Sequence, residues 1–334
     1  MSASQRLRKI ARSGEFIVFI ILMLVMCAFS ILNPAFLTVR NMFDLLRTMI
    51  VTGIFACGVM IVIISGGIDM SFMAIAICSA YMTVRLSIAY APGLPFVALA
   101  LVSMVIGVLL GMCNAFLVNT FEMPIFIATL SFATTIRGLM LAFVGNEYIP
   151  STDMPPAAIA FSKMYCFNTT DASGSTFGLH FSVFIMLGVM VLTHLIMRYT
   201  IIGRGIYALG GDMTSSSRIG YNIRRLRRFL YGYAGCLAGL GGMIYVCNNR
   251  MADPMSFQGE ELTVIAAVVL GGTSISGGKG SVIGVFLGLM LTNVINNNLV
   301  IIGIDSYWQK FTFGLLVIIA VVIQSIRAKR LARM

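Results

Sequence analysis

The sequence predicts an all-α fold: a polytopic bundle of about ten transmembrane helices, one membrane domain spanning residues 1–334, with both chain ends cytoplasmic. Three observations predict it. The chain is 59% hydrophobic and 10% charged, with a mean hydropathy of +0.96, whereas soluble domains carry about 25% charged residues. Its apolar runs are long and continuous, unlike the short alternating segments of a transmembrane β-barrel. Most of its 23 basic residues lie beside those runs, in places that an even number of spans puts on one side.

The elements follow in order. Residues 1–14 hold Arg6, Arg8, Lys9 and Arg12 and form a cytoplasmic tail; the run Phe16 to Leu32 is a retained first span, because no small-residue cleavage site follows it. Residues 37–47 read as an amphipathic external connection. The second run, Met49 to Ile64, ends at Ser65-Gly66-Gly67-Ile68-Asp69-Met70-Ser71. Further spans cover Phe72 to Ile88, Phe96 to Val118, and Pro124 to Val144, where proline suits a first helical turn. Residues 145–179 are polar and slightly acidic, as an external loop would be. A sixth span, His180 to Met197, leads into a basic cytoplasmic loop, 199–228. The seventh is Phe229 to Val246. A short eighth run, Leu262 to Leu270, breaks at the glycine-rich stretch Gly271 to Gly280. Val282 to Ile302 and Trp308 to Ile326 complete the bundle, and 327–334 is a second cytoplasmic tail.

Spans two and eight are both short and both run into glycine. Irregular backbone is intolerable against lipid, so such breaks must be buried in protein or line a wet cavity. Paired glycine-interrupted spans point to a transport site; an ordinary loop overshooting the membrane is the alternative. Glycines four apart, at 107 and 111, at 235 and 239, and at 280, 284 and 288, predict close helix packing.

Candidate pathway residues are the polar groups placed on or beside these spans. Asp69, Ser71 and Ser274 sit in the breaks. Phe126, Thr129 and Ser131 open the fifth span, with Phe126 and Thr129 sharing a face. Asn293 and Asn297, four apart, offer amide donors and acceptors for a hydroxyl-rich solute, unless they simply bond neighbouring helices. Arg137 needs a partner or a wet surface.

The net charge of +11 does not imply nucleic acid, because orientation and anionic lipid account for basic residues beside spans. The seven cysteines show no short pairing, so no metal site is expected. No cofactor is called for either. Gly203 to Ala208 fits a loose dinucleotide fingerprint, but no strand precedes it; Thr273 to Gly280 fails the phosphate-loop pattern at both ends. The loop 199–228 carries Arg204, Arg218, Arg224, Arg225, Arg227 and Arg228 against Asp212, with enough small residues for a tight turn and a short helix. It is either a plain positive-inside loop or a docking surface.

Five segments together resemble the membrane permease of ribose-type ABC sugar importers: GGIDMS at 66–71, MPIFIATLSFATTIRGL at 123–139, GRGIYALGGD at 203–212, IAAVVLGGTSISGGKGS at 265–281 and NNNLVIIGIDSYWQ at 296–309. The chain departs from that family at Phe72-Met73-Ala74 and at Asn298, where small residues or glycine are usual. The resemblance implies a non-enzymatic bacterial inner-membrane transport subunit. Its partners would be a cytoplasmic ABC ATPase, a periplasmic sugar-binding protein and a second permease subunit. The family's coupling segment matches 203–225 here, which assigns ATPase contact to Gly203, Arg204, Tyr207, Gly210, Gly211, Asp212, Ser216, Arg218, Gly220, Arg224 and Arg225. An ion-gradient-driven transporter or channel, using Asp69 and Arg137, is the alternative.

Overall fold

The computed structural model describes residues 14–33, 36–170 and 176–301, with residues 307, 308, 311, 314, 315, 318 and 322 of the final segment. Its helices are α1 (Gly14–Leu32), α2 (Val39–Ile64), α3 (Phe72–Tyr90), α4 (Phe96–Thr120) and α5 (Ile125–Leu139), the last continued by a π-helical turn at Met140–Val144. There follow α6 (Pro156–Phe161), strands β1 (Tyr165–Thr170) and β2 (Thr176–His180), α7 (Ser182–Tyr199), α8 (Ile201–Gly211), α9 (Met213–Arg218), α10 (Ile223–Asn249), α11 (Glu261–Leu270) and α12 (Val282–Ile301). Among the described residues seven helices are long and apolar enough to cross a membrane, and α11 and α12 are shorter apolar helices. The chain is a multi-pass helical membrane protein. All but the last residue of the expected tail 1–14, the expected tail 327–334 and most of the expected tenth span lie outside the described residues.

Helix α10 is the axis. Small residues strip side chains from its successive faces, so three helices meet its backbone. A Cβ at Gly235 would stand 2.2 Å from the Gly107 carbonyl oxygen on α4, and one at Gly242 the same distance from Ala76 on α3. Ala234 closes on Gly58 of α2. The Ser103 hydroxyl donates to the Gly239 carbonyl at 2.8 Å, adding a polar lock to the α4–α10 seam. Such close approach replaces the hydrophobic drive that lipid removes. Gly284 and Gly288 likewise seat α12 against Gly271 and Ala267, so the glycines four apart do mark packing seams. Outside this core, α1 packs through Val18 and Leu22 beside Leu45, Leu291 and Val294.

Two expectations need correction. Residues 37–47 are not a connection, and span two is not short: α2 is 26 residues long and starts at Val39, with the Thr38 side chain capping it. Arg40, Asp44 and Arg47 hide this from a hydropathy reading, yet Leu45 and Met49 on the opposite face are fully buried. Within the expected external loop, residues 145–179 hold α6 and most of an antiparallel hairpin pairing Tyr165 with His180. Among the described residues the bundle therefore carries one two-stranded sheet. It packs on the first half of α2, where Phe43 meets Phe177 edge-on at 6.2 Å and the Arg47 guanidinium lies 5.9 Å from the Tyr165 ring centre. Most of 199–228 is helical, as α8, α9 and the start of α10.

Candidate functional site

At the C-terminal end of α2 three glycine pairs converge. A helix leaves its last carbonyls unpaired, and here the chain supplies partners in turn. The Ile61 to Ile63 carbonyls accept from Ser65 and Gly66, while the Ile64 carbonyl accepts from the Gly278 amide at 2.9 Å. The second break thus completes the helix that precedes the first. Helix α8 closes over the same spot: a Cβ on Gly210 would lie 1.7 Å from the Ile64 oxygen, and one on Gly277 would lie 2.6 Å from the Gly210 oxygen and 3.0 Å from the Gly66 Cα. Gly66 (φ +90°) and Gly277 (φ +83°) turn the chain through the left-handed region that only glycine adopts freely. Tyr207, one turn earlier on α8, donates its hydroxyl to the Gly280 carbonyl at 2.8 Å. Glu15 of α1 accepts from Ser281 beside it.

The first break is further held by side chains. Asp69 is buried and accepts at Oδ1 from both the amide and the hydroxyl of Ser71, at 2.7 and 2.6 Å. Asn114 of α4 donates its Nδ2 to the Ser71 oxygen at 2.6 Å. Thr129 of α5 accepts the Met70 amide at 3.1 Å. Asp69, Ser71 and Asn114 therefore form one buried side-chain network, beside which Thr129 holds the Ile68 and Met70 backbone; Asn114 is the member that the sequence reading missed. Ser274 lies within the turn of the second break, its amide on the Lys279 carbonyl at 2.9 Å.

At the other end of α2, beside the hairpin, lies a cavity of about 660 Å³. Its walls come from α2 (Asn41, Asp44, Arg47, Thr48, Phe55), the end of α10 (Tyr245, Asn248, Asn249), the following segment (Phe257, Glu260) and Asn297 of α12. Amides, one guanidinium and carboxylates face aromatic rings across it. The Asn248 Oδ1 is buried and has no partner among the described residues. Asn297 reaches this cavity and donates to the Thr48 hydroxyl at 3.3 Å, while Asn293 spends its Nδ2 on the Leu289 carbonyl of its own helix. A signal existed for the missed residues: Asp44 and Arg47 are three apart, and Asn248-Asn249 close an apolar run. Nearby, Arg137 finds its partners in Glu261 and the Ser256 carbonyl, each at 3.3 Å, pinning α5 to the start of α11.

The remaining candidates lie elsewhere. Phe126 is 47% exposed while Thr129, three residues on in the same helix, is fully buried, with the Thr129 hydroxyl donating to the Phe126 carbonyl at 3.3 Å. Ser131 faces a lateral apolar groove between α4 and α5. Of the 203–225 residues, Gly203, Gly205 and Ser216 are buried, and Arg204, Gly211, Asp212, Arg218, Gly220, Arg224 and Arg225 are exposed. Asp212 caps α9, and hydrogen bonds from Ser215 and Thr214 hold its carboxyl down at about 2.

The chain matches the family described as branched-chain amino acid transport system / permease component over residues 41–321. It is 33% identical to the ribose import permease of Haemophilus influenzae, covering 92% of this chain and 93% of that one. Against the ribose import permease of Bacillus subtilis it is 32% identical over 93% and 91% of the two chains. For the D-allose transport system permease of Escherichia coli the figures are 30%, 93% and 91%. No solved structure matches the chain. With most of its length matched, and with the glycine junction and the buried Asp69 network inside that length, the chain belongs to the branched-chain amino acid transport system permease family, a transport component.

Proposed function

We propose that this chain is the membrane-spanning permease subunit of an ATP-driven importer, in a bacterial inner membrane, for a monosaccharide or similar small polyol. The observation that carries the reading is the seating of α8 on both breaks at once, through Gly210 and Tyr207. A separate cytoplasmic ATPase docks on the exposed side of α8 and α9, where Arg204, Arg218, Gly220, Met213 and Ile219 are offered to solvent. Movement of α8 is then movement of the ends of α2 and α11, because backbone contacts leave no slack. Sugar enters from the hairpin side, delivered by a binding protein, and passes the cavity that holds Asp44, Asn248 and Asn297. That volume falls within the range of small-molecule sites. Its amides and charges match hydroxyl groups, and its aromatic faces match the C–H face of a sugar ring. Two such subunits flank one pathway. The two intramembrane charges that ion coupling would need are engaged: Asp69 by Ser71, and Arg137 by Glu261.

The test is reconstitution in proteoliposomes with an ABC ATPase and a sugar-binding protein from the same cell, against a panel of pentoses and hexoses. Uptake should require ATP and the binding protein, and one sugar should stimulate hydrolysis. Uptake driven by an imposed proton or sodium gradient without ATP would sink the reading.

A further inference from the structure

The lateral face between α4 and α5 carries an apolar groove of about 650 Å³ that includes Met112, Cys113 and Phe116. Toward the α8 end, Met112 and Phe116 also wall a second pocket, about 370 Å³, whose other sides include Asn119, Arg224 and Arg228. The oily groove and the basic pocket thus share two wall residues. Phe116 is 59% exposed on this face, as a lipid-facing residue would be. Arg224 and Arg228 are four apart on α10 and so share a face. Asn119 fixes the junction by donating its Nδ2 to the Arg224 carbonyl at 3.2 Å. The Arg85–Glu147 and Arg137–Glu261 ion pairs involve neither arginine. The first turn of α10 also holds no acid. Cations crowd the positive end of a helix dipole there, an arrangement that an anion relieves.

We propose that this composite site holds an anionic glycerophospholipid, with its phosphate between Arg224 and Arg228 and an acyl chain along Phe116 and Cys113. Basic pockets between transmembrane helices recognise anionic headgroups in this way, and the guanidinium fork suits phosphate oxygens. The site sits at the root of the α9–α10 turn, so a bound lipid braces the coupling helices against α4.

The experiment uses the full-length chain in detergent, titrated with phosphatidylglycerol or phosphatidylcholine and read by native mass spectrometry. Phosphatidylglycerol should be retained selectively. The double variant Arg224→Gln/Arg228→Gln should retain it roughly twenty-fivefold less well, from about fivefold per arginine, while Arg204→Gln should match the wild type. Equal retention of both lipids, or no change in the double variant, overturns the proposal. A second measurement needs no variant: the rate of Cys113 alkylation in nanodiscs, read by peptide mass spectrometry. Phosphatidylglycerol should slow it relative to phosphatidylcholine. Protection by inorganic phosphate alone would assign the site to a free anion and overturn the lipid. Protection that tracks dimer formation regardless of lipid would assign the face to a second copy, with the same consequence.

Discussion

Residues 65–71 and residues 271–280 both interrupt an apolar helix, and they are stiffened by opposite means. The first break is held by side chains: Asp69 and Ser71 bond each other, Asn114 reaches in from α4, and Thr129 from α5. The second is held by backbone. Gly278 bonds Ile64, Ser274 bonds Lys279, and Gly277 lies against Gly210 and Gly66. A side-chain network can lose one member and keep its shape, with the loss graded by burial. A backbone-on-backbone contact has no such margin, because any added atom must push two chains apart. The contrast implies a division of labour: the first break is a fixed seat, and the second passes displacement of α8 into the bundle.

The sharpest way to break this comparison is to add one carbon. Gly210→Ala places a Cβ at 1.7 Å from the Ile64 oxygen, whereas at Gly211 nothing lies within 4 Å. Alanine is also the better helix former at both positions. Gly210→Ala should therefore reduce sugar-stimulated ATP hydrolysis and uptake by about tenfold or more; displacing α8 also strands the Ile64–Gly278 bond, at a cost of about 1–3 kcal/mol for an unmet buried group. Gly211→Ala, which adds only a methyl on the exposed docking face and meets no backbone of this chain, should cost far less. Equal behaviour of the two variants in proteoliposomes would remove the junction from coupling.

A graded loss is expected on the other side. Ser71→Ala removes the hydroxyl that links Asp69 to Asn114, leaving two buried polar groups short of a partner. Thermal unfolding in detergent should show destabilisation of about 1–3 kcal/mol, with transport reduced but present. Thr129→Val removes one acceptor, that of the Met70 amide, and should do less, about 1 kcal/mol. Abolition of transport by Ser71→Ala with unchanged stability would mean the first break moves in the cycle, and the proposed contrast would fail.

The sequence showed the helices more readily than their meeting points. Apolar runs located α3 and α4 with their starts correct and their ends two residues early, because lipid and core both demand unbroken hydrophobicity. Helix α2 was misread for the reverse reason: Arg40, Asp44 and Arg47 interrupt the run, but Asp44 and Arg47 face a cavity, and that half of the helix needs an apolar stripe only on its other side. The glycine breaks were legible as breaks. Their junction with α8 was not, since contact between residues 66, 210 and 277 is a property of tertiary packing. The visible trace was the doublet Gly-Gly at each of those places. Asn114 left no trace at all: it is one amide in an apolar run, and only its bond to Ser71 gives it meaning.

The smallest expected effect concerns the two asparagines of α12, which spacing alone made equivalent. Asn297 lines the cavity and its amide meets Thr48 on α2. Asn293, one turn earlier, satisfies itself on the Leu289 carbonyl. A pathway must release its solute, so each wall contact is weak, and losing one amide should change uptake by only about two- to fivefold, the worth of a neutral hydrogen bond. Asn297→Leu should thus slow uptake within that range, with assembly and basal ATP hydrolysis intact. Asn293→Leu removes a bond internal to its helix and should transport like the wild type. Asn297→Gln, with the same amide on a longer stem, separates chemistry from packing: partial recovery of uptake would mark the amide as a solute contact. If Asn293→Leu is the slower variant, the route runs on the other side of α12, and the cavity at the hairpin end is not its entrance.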